Sequence, residues 1–243
     1  MVMRYLRISF ILTLVLLIFY ALWSSRLHFN SQECMSIKIH VDTSDDLFFI
    51  NADMIKEMIL SREDSILGKA YEDINIYLLE EFVNEHPNIK KAELYLTVDG
   101  TLYVDVKQRK PLARVFQDKD SYYLDEKIRE FPLSDNYSAK VLQVYWDEIT
   151  PSRFGILSKL IDLINSDEFL KAQITAIAFN GKDELVAYPR VGDHKIMMGE
   201  AKDLENKFEK LKIFYRHGLG KIGWDRYSMI NLKYQNQVVC TKR

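Results

Sequence analysis

Between Arg7 and Arg26 runs an uncharged stretch, Ile8 to Ser25, reading ISFILTLVLLIFYALWSS. It constrains the chain more than any other feature. Eighteen residues at helical rise span about 27 Å, close to the ~30 Å hydrocarbon core of a bilayer. Tyr20 and Trp23 sit near its far end, where amphipathic aromatic rings favour the membrane interface. A cleaved signal peptide would need a shorter apolar core and small residues at a cleavage site. Ala21-Leu22-Trp23 instead puts a bulky ring where a small residue is required, so an uncleaved anchor is expected. Arg4 and Arg7 before the run, against Arg26 alone just after it, give a weak positive-inside bias. The expected arrangement is a cytoplasmic tail at 1–7, a membrane helix at 8–25 and the bulk of the chain outside.

The remainder reads as a folded body. The whole chain is 48% hydrophobic and 28% charged, which excludes disorder and a multi-span protein. The first thirty residues carry three arginines and no acid, so the rest holds a net charge of −5. An acidic body argues against nucleic acid, because phosphate binding needs a basic face. Two cysteines, Cys34 and Cys240, exclude a disulfide scaffold and a cysteine-based zinc site. They could pair in an oxidising compartment, but nothing in the sequence brings them together.

Ile37, Ile39 and Val41 alternate with Lys38, His40 and Asp42, which predicts a strand. Asn51 is a candidate N-cap for a helix carrying Met54, Ile55, Met58 and Ile59. A second helix is expected from Tyr71 to His86, with Ile74, Leu78 and Phe82 as its stripe, Leu79 and Val83 beside it, and Pro87 as its stop. Two strands, 92–98 and 101–106, flank Asp99-Gly100, a hairpin signal read as a type I′ turn. Residues 35–107 therefore read β-α-α-β-β.

Past Pro111 the pattern becomes short strands with two long helices. Strands are expected at 122–124, 140–146, 174–179, 184–188 and 194–198, with Asn180-Gly181 as a second hairpin turn. Helices are expected at 152–165 and at 202–215, the latter ended by Gly218 and Gly220. A last strand should run unbroken from Met229 to Val239.

No catalytic constellation emerges. His28, His40, His86, His194 and His217 show no metal-ligand spacing, and no serine-hydrolase or phosphate-loop motif is present. Gly68-Lys69-Ala70 has the Gly-Lys of a phosphate loop and nothing else of it. The carboxylate pairs Asp45-Asp46, Glu63-Asp64 and Glu80-Glu81 read as wet surface. The chain is expected to be no enzyme, with no cofactor, no metal and no small-molecule substrate.

The stretch LLEEFVNEHPNIKKAELYLTVDGTLYVDVKQRKPLARV, Leu78 to Val115, resembles the POTRA-to-β junction of the FtsQ/DivIB cell-division family. The pattern is met by Pro87, Lys90, Lys91, Ala92, Leu102, Val104, Val106, Pro111 and Ala113. Tyr122-Tyr123-Leu124-Asp125 looks like the opening of the family's second domain, and Val191 to Gly199 like its v-x-x-G strand. Ile230-Asn231-Leu232-Lys233-Tyr234 looks like its closing strand, with Asn231 for the usual Asp and Lys233 for the usual Arg. The Gly usual after Asp125 is replaced near Ile128.

The resemblance implies an α+β chain: one N-terminal transmembrane helix, a POTRA domain at 35–110, and a mixed β-sheet domain with two long helices at 111–240. It implies a divisome scaffold in the bacterial inner membrane, with its bulk in the periplasm at the septum, binding FtsB-like and FtsL-like proteins and other divisome proteins. Strand addition to the last strand would supply the contact, with Ile230, Asn231, Leu232, Lys233, Tyr234 and Gln235 as the partner-binding residues. Two other readings stay open at this point. One is a POTRA-type chaperone or transport module; the other is a membrane-anchored cell-wall hydrolase.

Overall fold

The alternation of Ile37, Ile39 and Val41 produces β1 (Ser36–Asp42), the first strand of a small sheet. The computed structural model describes residues 2–62, 66–146, 151–180 and 184–243. Glu63-Asp64 and Gly181 of the second hairpin turn lie outside the described residues, as does the side chain of His28. The chain forms two compact units, Met1–Arg109 and Lys110–Arg243.

The first unit opens with α1 (Val2–Asn30), which contains the apolar window Ser9–Arg26 with none of that window buried against protein. After β1, Asn51 caps α2 (Ala52–Arg62) by accepting the Met54 amide at 2.9 Å. Ile55 and Ile59 are fully buried beneath it. The helix expected from Tyr71 to His86 is shorter. Tyr71–Asp73 is a single 3₁₀ turn, and Asn75 then caps α3 (Ile76–Asn84) through the Leu78 amide. Starting from that cap, Leu79 and Val83 face inward while Leu78 is half exposed, so the buried stripe is shifted by one residue from the expected one.

Two antiparallel strands follow, β2 (Ile89–Leu96) and β3 (Thr101–Gln108), and the sheet order is β1-β3-β2 with β1 parallel to β3. The β-α-α-β-β order is therefore the one observed. The turn between β2 and β3 differs from the expected type. Gly100 has φ +85 while Asp99 is not at positive φ, and the Gly100 amide donates to the Thr97 carbonyl at 3.2 Å. This is a right-handed turn closed by one left-handed glycine, not a type I′ pair. A Cβ on Gly100 would also sit 3.1 Å from Met35 Cγ.

The outer edge of β2 is closed by side chains. Asn84 of α3 accepts from the Ala92 amide at 2.8 Å and donates to the Ala92 carbonyl at 3.1 Å. Glu80 accepts from the Leu94 amide at 2.9 Å. A helix thus takes the place of a neighbouring strand, which protects the edge. At the far end of β3, buried Gln108 holds the loop after β1 through Ile50, Leu47 and Asp42.

The second unit contains β4 (Pro111–Gln117), β5 (Asp120–Asp125), β6 (Glu130–Pro132), β7 (Leu142–Trp146), α4 (Pro151–Ser166) and α5 (Glu168–Gln173). It continues with β8 (Ile174–Asn180), β9 (Glu184–Pro189), β10 (Lys195–Glu200), α6 (Leu204–Phe214), α7 (Gly220–Ile222), β11 (Tyr227–Asn231) and β12 (Val239–Lys242). Among the described residues the strands form one nine-stranded sheet in the order β12-β11-β10-β9-β8-β7-β4-β5-β6. Leu157, Leu160 and Ile161 of α4 and Leu204, Phe208 and Leu211 of α6 share one core with the inward side chains of the sheet. Trp146 stacks on Phe179 at its middle, with ring centroids 4.2 Å apart. Asp167 caps α5 through Leu170 and bonds Lys212 of α6 at 2.8 Å, which ties the two helices together.

Gly218 and Gly220 do not end α6. The helix widens into a π turn at Tyr215–Leu219 and runs on as α7 until Gly223, at φ +95, stops it. The glycine missing after Asp125 leaves its mark. Ile128 adopts φ +56, a left-handed conformation that costs a β-branched residue about 1–2 kcal/mol. Asp125 holds that turn. Burial alone would raise its carboxyl pKa, but bonds from the Arg129 amide and guanidinium and from the Lys127 amide outweigh this and lower it.

Three outcomes follow from these packing arguments. Gly100→Val should destabilise the first unit by about 1 kcal/mol or more, read as roughly fivefold faster amide exchange across β1–β3; unchanged exchange would refute the turn assignment. At position 128 the stability order should be Gly above Ala by about 1 kcal/mol, since Ala keeps the backbone strain and still loses the Ile contacts. An order of Ala above Gly in urea unfolding would contradict the strain. The third outcome concerns His194, buried with Nε2 2.6 Å from the Tyr215 hydroxyl. Burial, then the charge of Arg243, lowers its pKa against the smaller opposing pull of Asp193 and Asp225. The unfolded chain therefore binds the proton better, and stability falls as pH drops below the ordinary histidine value. Urea unfolding followed by Trp146 and Trp224 emission should show this loss between pH 7.5 and 5.5, with a slope of at most about 1.4 kcal/mol per pH unit from this group. His194→Asn should flatten it; an unaltered slope would assign the loss elsewhere.

Candidate functional site: the carboxy-terminal edge

The unbroken strand expected at 229–239 is two strands and a turn. β11 lies parallel to β10, with Ile196 opposite Ile230 and Met197 opposite Asn231. The Leu232 amide still donates to the Met197 carbonyl at 2.9 Å, so the chain follows β10 for one more residue. The Lys233 amide then bonds back to Asn231 Oδ1 at 3.0 Å. Lys210 of α6 donates to the carbonyls of Leu232 (3.2 Å) and Tyr234 (2.7 Å), taking acceptors that a continuing strand would offer to a neighbour. Asn236 sits at φ +58, which asparagine tolerates, and the chain reverses into β12. The apolar-polar alternation of 230–235 therefore belongs partly to a strand end and partly to a turn.

The six residues proposed for partner binding are consequently divided. Ile230 and Leu232 are fully buried in the core of the second unit and hold the sheet together. Asn231 is half-buried and accepts the bond that starts the turn. Lys233 lays its stem across Gly199, where a Cβ would stand 2.7 Å from Lys233 Cγ, and its Nζ meets Glu184 Oε1 at 2.5 Å. Gly199 is thus needed both for its φ of +71 and for the space above it. A lysine makes this a single-point contact, without the two-pronged geometry of the arginine usual in the resembled family. Lys233, Tyr234 and Gln235 are the three of the six that stand exposed, and of these Lys233 is engaged by Glu184.

β12 itself was not foreseen, because its four residues follow a polar Gln-Asn-Gln break. It pairs antiparallel with β11, Cys240 opposite Ile230 and Val239 opposite Asn231. Cys240 therefore leans on the core, and Val239 faces outward, partly exposed. β12 ends the sheet order, and among the described residues no strand pairs with its other side. Beside the turn lies an open groove lined by Lys210, Ile213, Phe214 and His217 together with Gln237 and Val238. Ile213 is well exposed there.

The remaining candidate chemistry is dispersed. Among the described residues no three His, Cys, Asp or Glu side chains converge as a metal site. Glu80 serves the edge of β2, Asp46 occupies a left-handed turn position, and Gly68 and Lys69 bond the segment after α1. Cys34 is buried in the first unit and Cys240 half-buried in the second, and both are free thiols.

Comparison with known proteins bears on the two units separately. A model of the POTRA-like domain matches residues 32–107, and a model described as FtsQ/DivIB, C-terminal related, matches residues 110–241. No curated protein matches the chain. The second model covers more than half of the sequence and nearly all of the nine-stranded unit, and the POTRA-like unit precedes it, so the chain belongs to the FtsQ/DivIB-related family of cell-division proteins.

Proposed function

We propose that the protein is a non-enzymatic scaffold of the divisome, anchored by the 8–25 segment with residues 1–7 in the cytoplasm and the bulk in the periplasm at the septum. FtsB-like and FtsL-like proteins are its partners, and a partner strand adds to the last strand of the sheet. The observation that carries this reading is the unpaired outer side of β12, which follows a turn that exposes Tyr234 and Gln235. A strand edge supplies affinity through the backbone, and side chains beside it supply choice of partner. Tyr234 suits an anchor, since a tyrosine buries much area at low entropy cost and keeps a hydroxyl for bonding.

The fully exposed α1 window supports the anchor, and the family supports the setting. A single POTRA-like match followed by a large second domain favours the scaffold over a transport module, which would repeat POTRA units. The dispersal of His and carboxylate groups favours it over a hydrolase. A second reading rests on β1, which pairs only with β3 and offers the other open edge among the described residues.

The test is calorimetry of the full chain in nanodiscs against the soluble parts of the two partners, with folding of each variant checked by amide exchange. Lys242→Pro removes an outward-facing donor from the edge strand and should weaken binding at least a hundredfold. Tyr234→Ala should cost about 2 kcal/mol, near thirtyfold. Lys233→Ala should cost under about 1 kcal/mol, because its carboxylate partner lies in its own chain and both groups are partly exposed. A proline at Gln235 falls in the turn and carries no information on strand pairing. If Lys242→Pro and Tyr234→Ala both bind like the parent, β12 is not the site and β1 becomes the template to test.

A further inference from the structure

The end of the first unit that receives α1 is built from three segments bonded to one another. The Tyr71 amide donates to the Gln32 carbonyl, and the Cys34 amide to the Lys69 carbonyl, both at 2.9 Å. The Gly68 amide returns a bond to the Cys34 carbonyl at 2.8 Å. The Met35 and Ser36 amides both reach the Gly100 carbonyl, and Gln32 Nε2 donates to the Val98 carbonyl. The Tyr71 hydroxyl donates to the Thr97 carbonyl at 2.7 Å. Residues 32–36 are thereby fixed against the 68–71 loop and the tip of the β2–β3 hairpin.

That same end carries three large apolar side chains turned out to solvent. Val98 is 78% exposed, Met35 72% and Leu67 47%. Valine is an unusual choice for a hairpin tip in water, where glycine, asparagine and aspartate are the ordinary residues. Met35 and Val98 belong to two of the segments just named and Leu67 immediately precedes the third, so the bonds gather them at one end of the unit.

The tether to α1 is very short. α1 ends at Asn30, and Ser31 alone separates it from Gln32, the first fixed residue. From Arg26, the polar end of the apolar window, to Asn30 is about 6 Å at helical rise. The headgroup layer of a bilayer is about 5–8 Å deep on each side. One extended residue adds about 3.5 Å. If the window spans the hydrocarbon, the first fixed residue lies within about 5 Å of the outer limit of the headgroup layer, close enough for exposed side chains at this end to reach it.

Resting on the anchor reading above, we infer that Met35, Leu67 and Val98 form a foot that inserts into the headgroup layer of the bilayer. The foot has no net positive charge. Glu33 and Asp99 lie within it beside Lys69, so apolar insertion rather than attraction to anionic lipid provides the binding. Its consequence is orientation. β1 and β3 start at the foot and run away from it, and seven residues of β1 carry the chain about 23 Å outward. The first unit stands upright on the membrane instead of swinging on a flexible linker.

The experiment uses the full chain in nanodiscs of phosphatidylethanolamine and phosphatidylglycerol at about 3:1. Cys240→Ser removes the partly exposed thiol, and fully buried Cys34 is left in place. A single environment-sensitive label is attached at Val98→Cys, at Ser44→Cys in the exposed loop after β1, or at Leu17→Cys within the apolar window. Nitroxide lipids quench at headgroup depth or deep in the acyl chains. The expected result is shallow quenching at 98 at least fivefold greater than at 44, and deep quenching at 17. Deep quenching at 17 with equal shallow quenching at 98 and 44 would overturn the foot and leave the anchor standing. Absence of deep quenching at 17 would overturn the anchor and the foot with it. A label at Leu67→Cys in a Met35→Asp, Val98→Asp background should fall to the level of position 44, with amide exchange of β1–β3 unchanged. Persistent quenching there would mean that the tether alone sets the distance, and would overturn the role given to the apolar side chains.

Discussion

A sheet edge carries backbone amides and carbonyls that need partners, and the four edges of this molecule answer that need in different ways. β2 hands its outer groups to Asn84 and Glu80 of α3, so a helix completes the sheet. β6 is three residues long and ends in Pro132, which has no amide to offer. β1 and β12 are left open among the described residues. Natural sheets usually blunt such edges because an unpaired strand invites association. An edge left open beside an exposed Tyr234, in a chain of the FtsQ/DivIB-related family, is the physical basis for reading this protein as a scaffold.

The open edge at β12 depends on how the chain is turned before it. Lys210 takes the carbonyls of Leu232 and Tyr234, Asn231 takes the Lys233 amide, and Gly199 leaves the space that the Lys233 stem fills. Only the Asn231 bond is local in sequence; the others come from distant segments, and together they end β11 and send the chain back as β12. The core residues Ile230 and Leu232 secure the inner side of the turn. The arrangement separates two roles that a single long strand would have merged: one segment holds the sheet, and the next is free to pair outward.

Much of the fold was legible because local chemistry agreed with it. Asn51 reads as a cap and is one, β1 alternates as its residues do, and Gly100 marks a turn that needs positive φ. What escaped the sequence was decided by distant partners or by one-residue phase. The alternation of 230–235 continues through a turn whose carbonyls are held by Lys210, twenty-two residues earlier than Leu232, and no local signal reveals that bond. The stripe on α3 moved from Leu78 to Leu79 because Asn75, not Tyr71, starts the helix. Gly218 and Gly220 read as terminators, yet the helix widens through them, and only Gly223 turns to positive φ. Of the six residues expected at the interface, burial removes Ile230 and Leu232 and leaves Lys233, Tyr234 and Gln235 accessible.

The central claim is that a partner strand completes the sheet at β12. Amide hydrogen exchange of the full chain, alone and saturated with the proposed FtsB-like partner, tests it most directly. The account predicts that exchange at the outward-facing amides of Cys240 and Lys242 slows at least a hundredfold on binding, the mark of amides drawn into a ladder, while β1 keeps its free-state rates. Protection confined to residues 36–42, with the Cys240 and Lys242 amides exchanging as in the free protein, would contradict it.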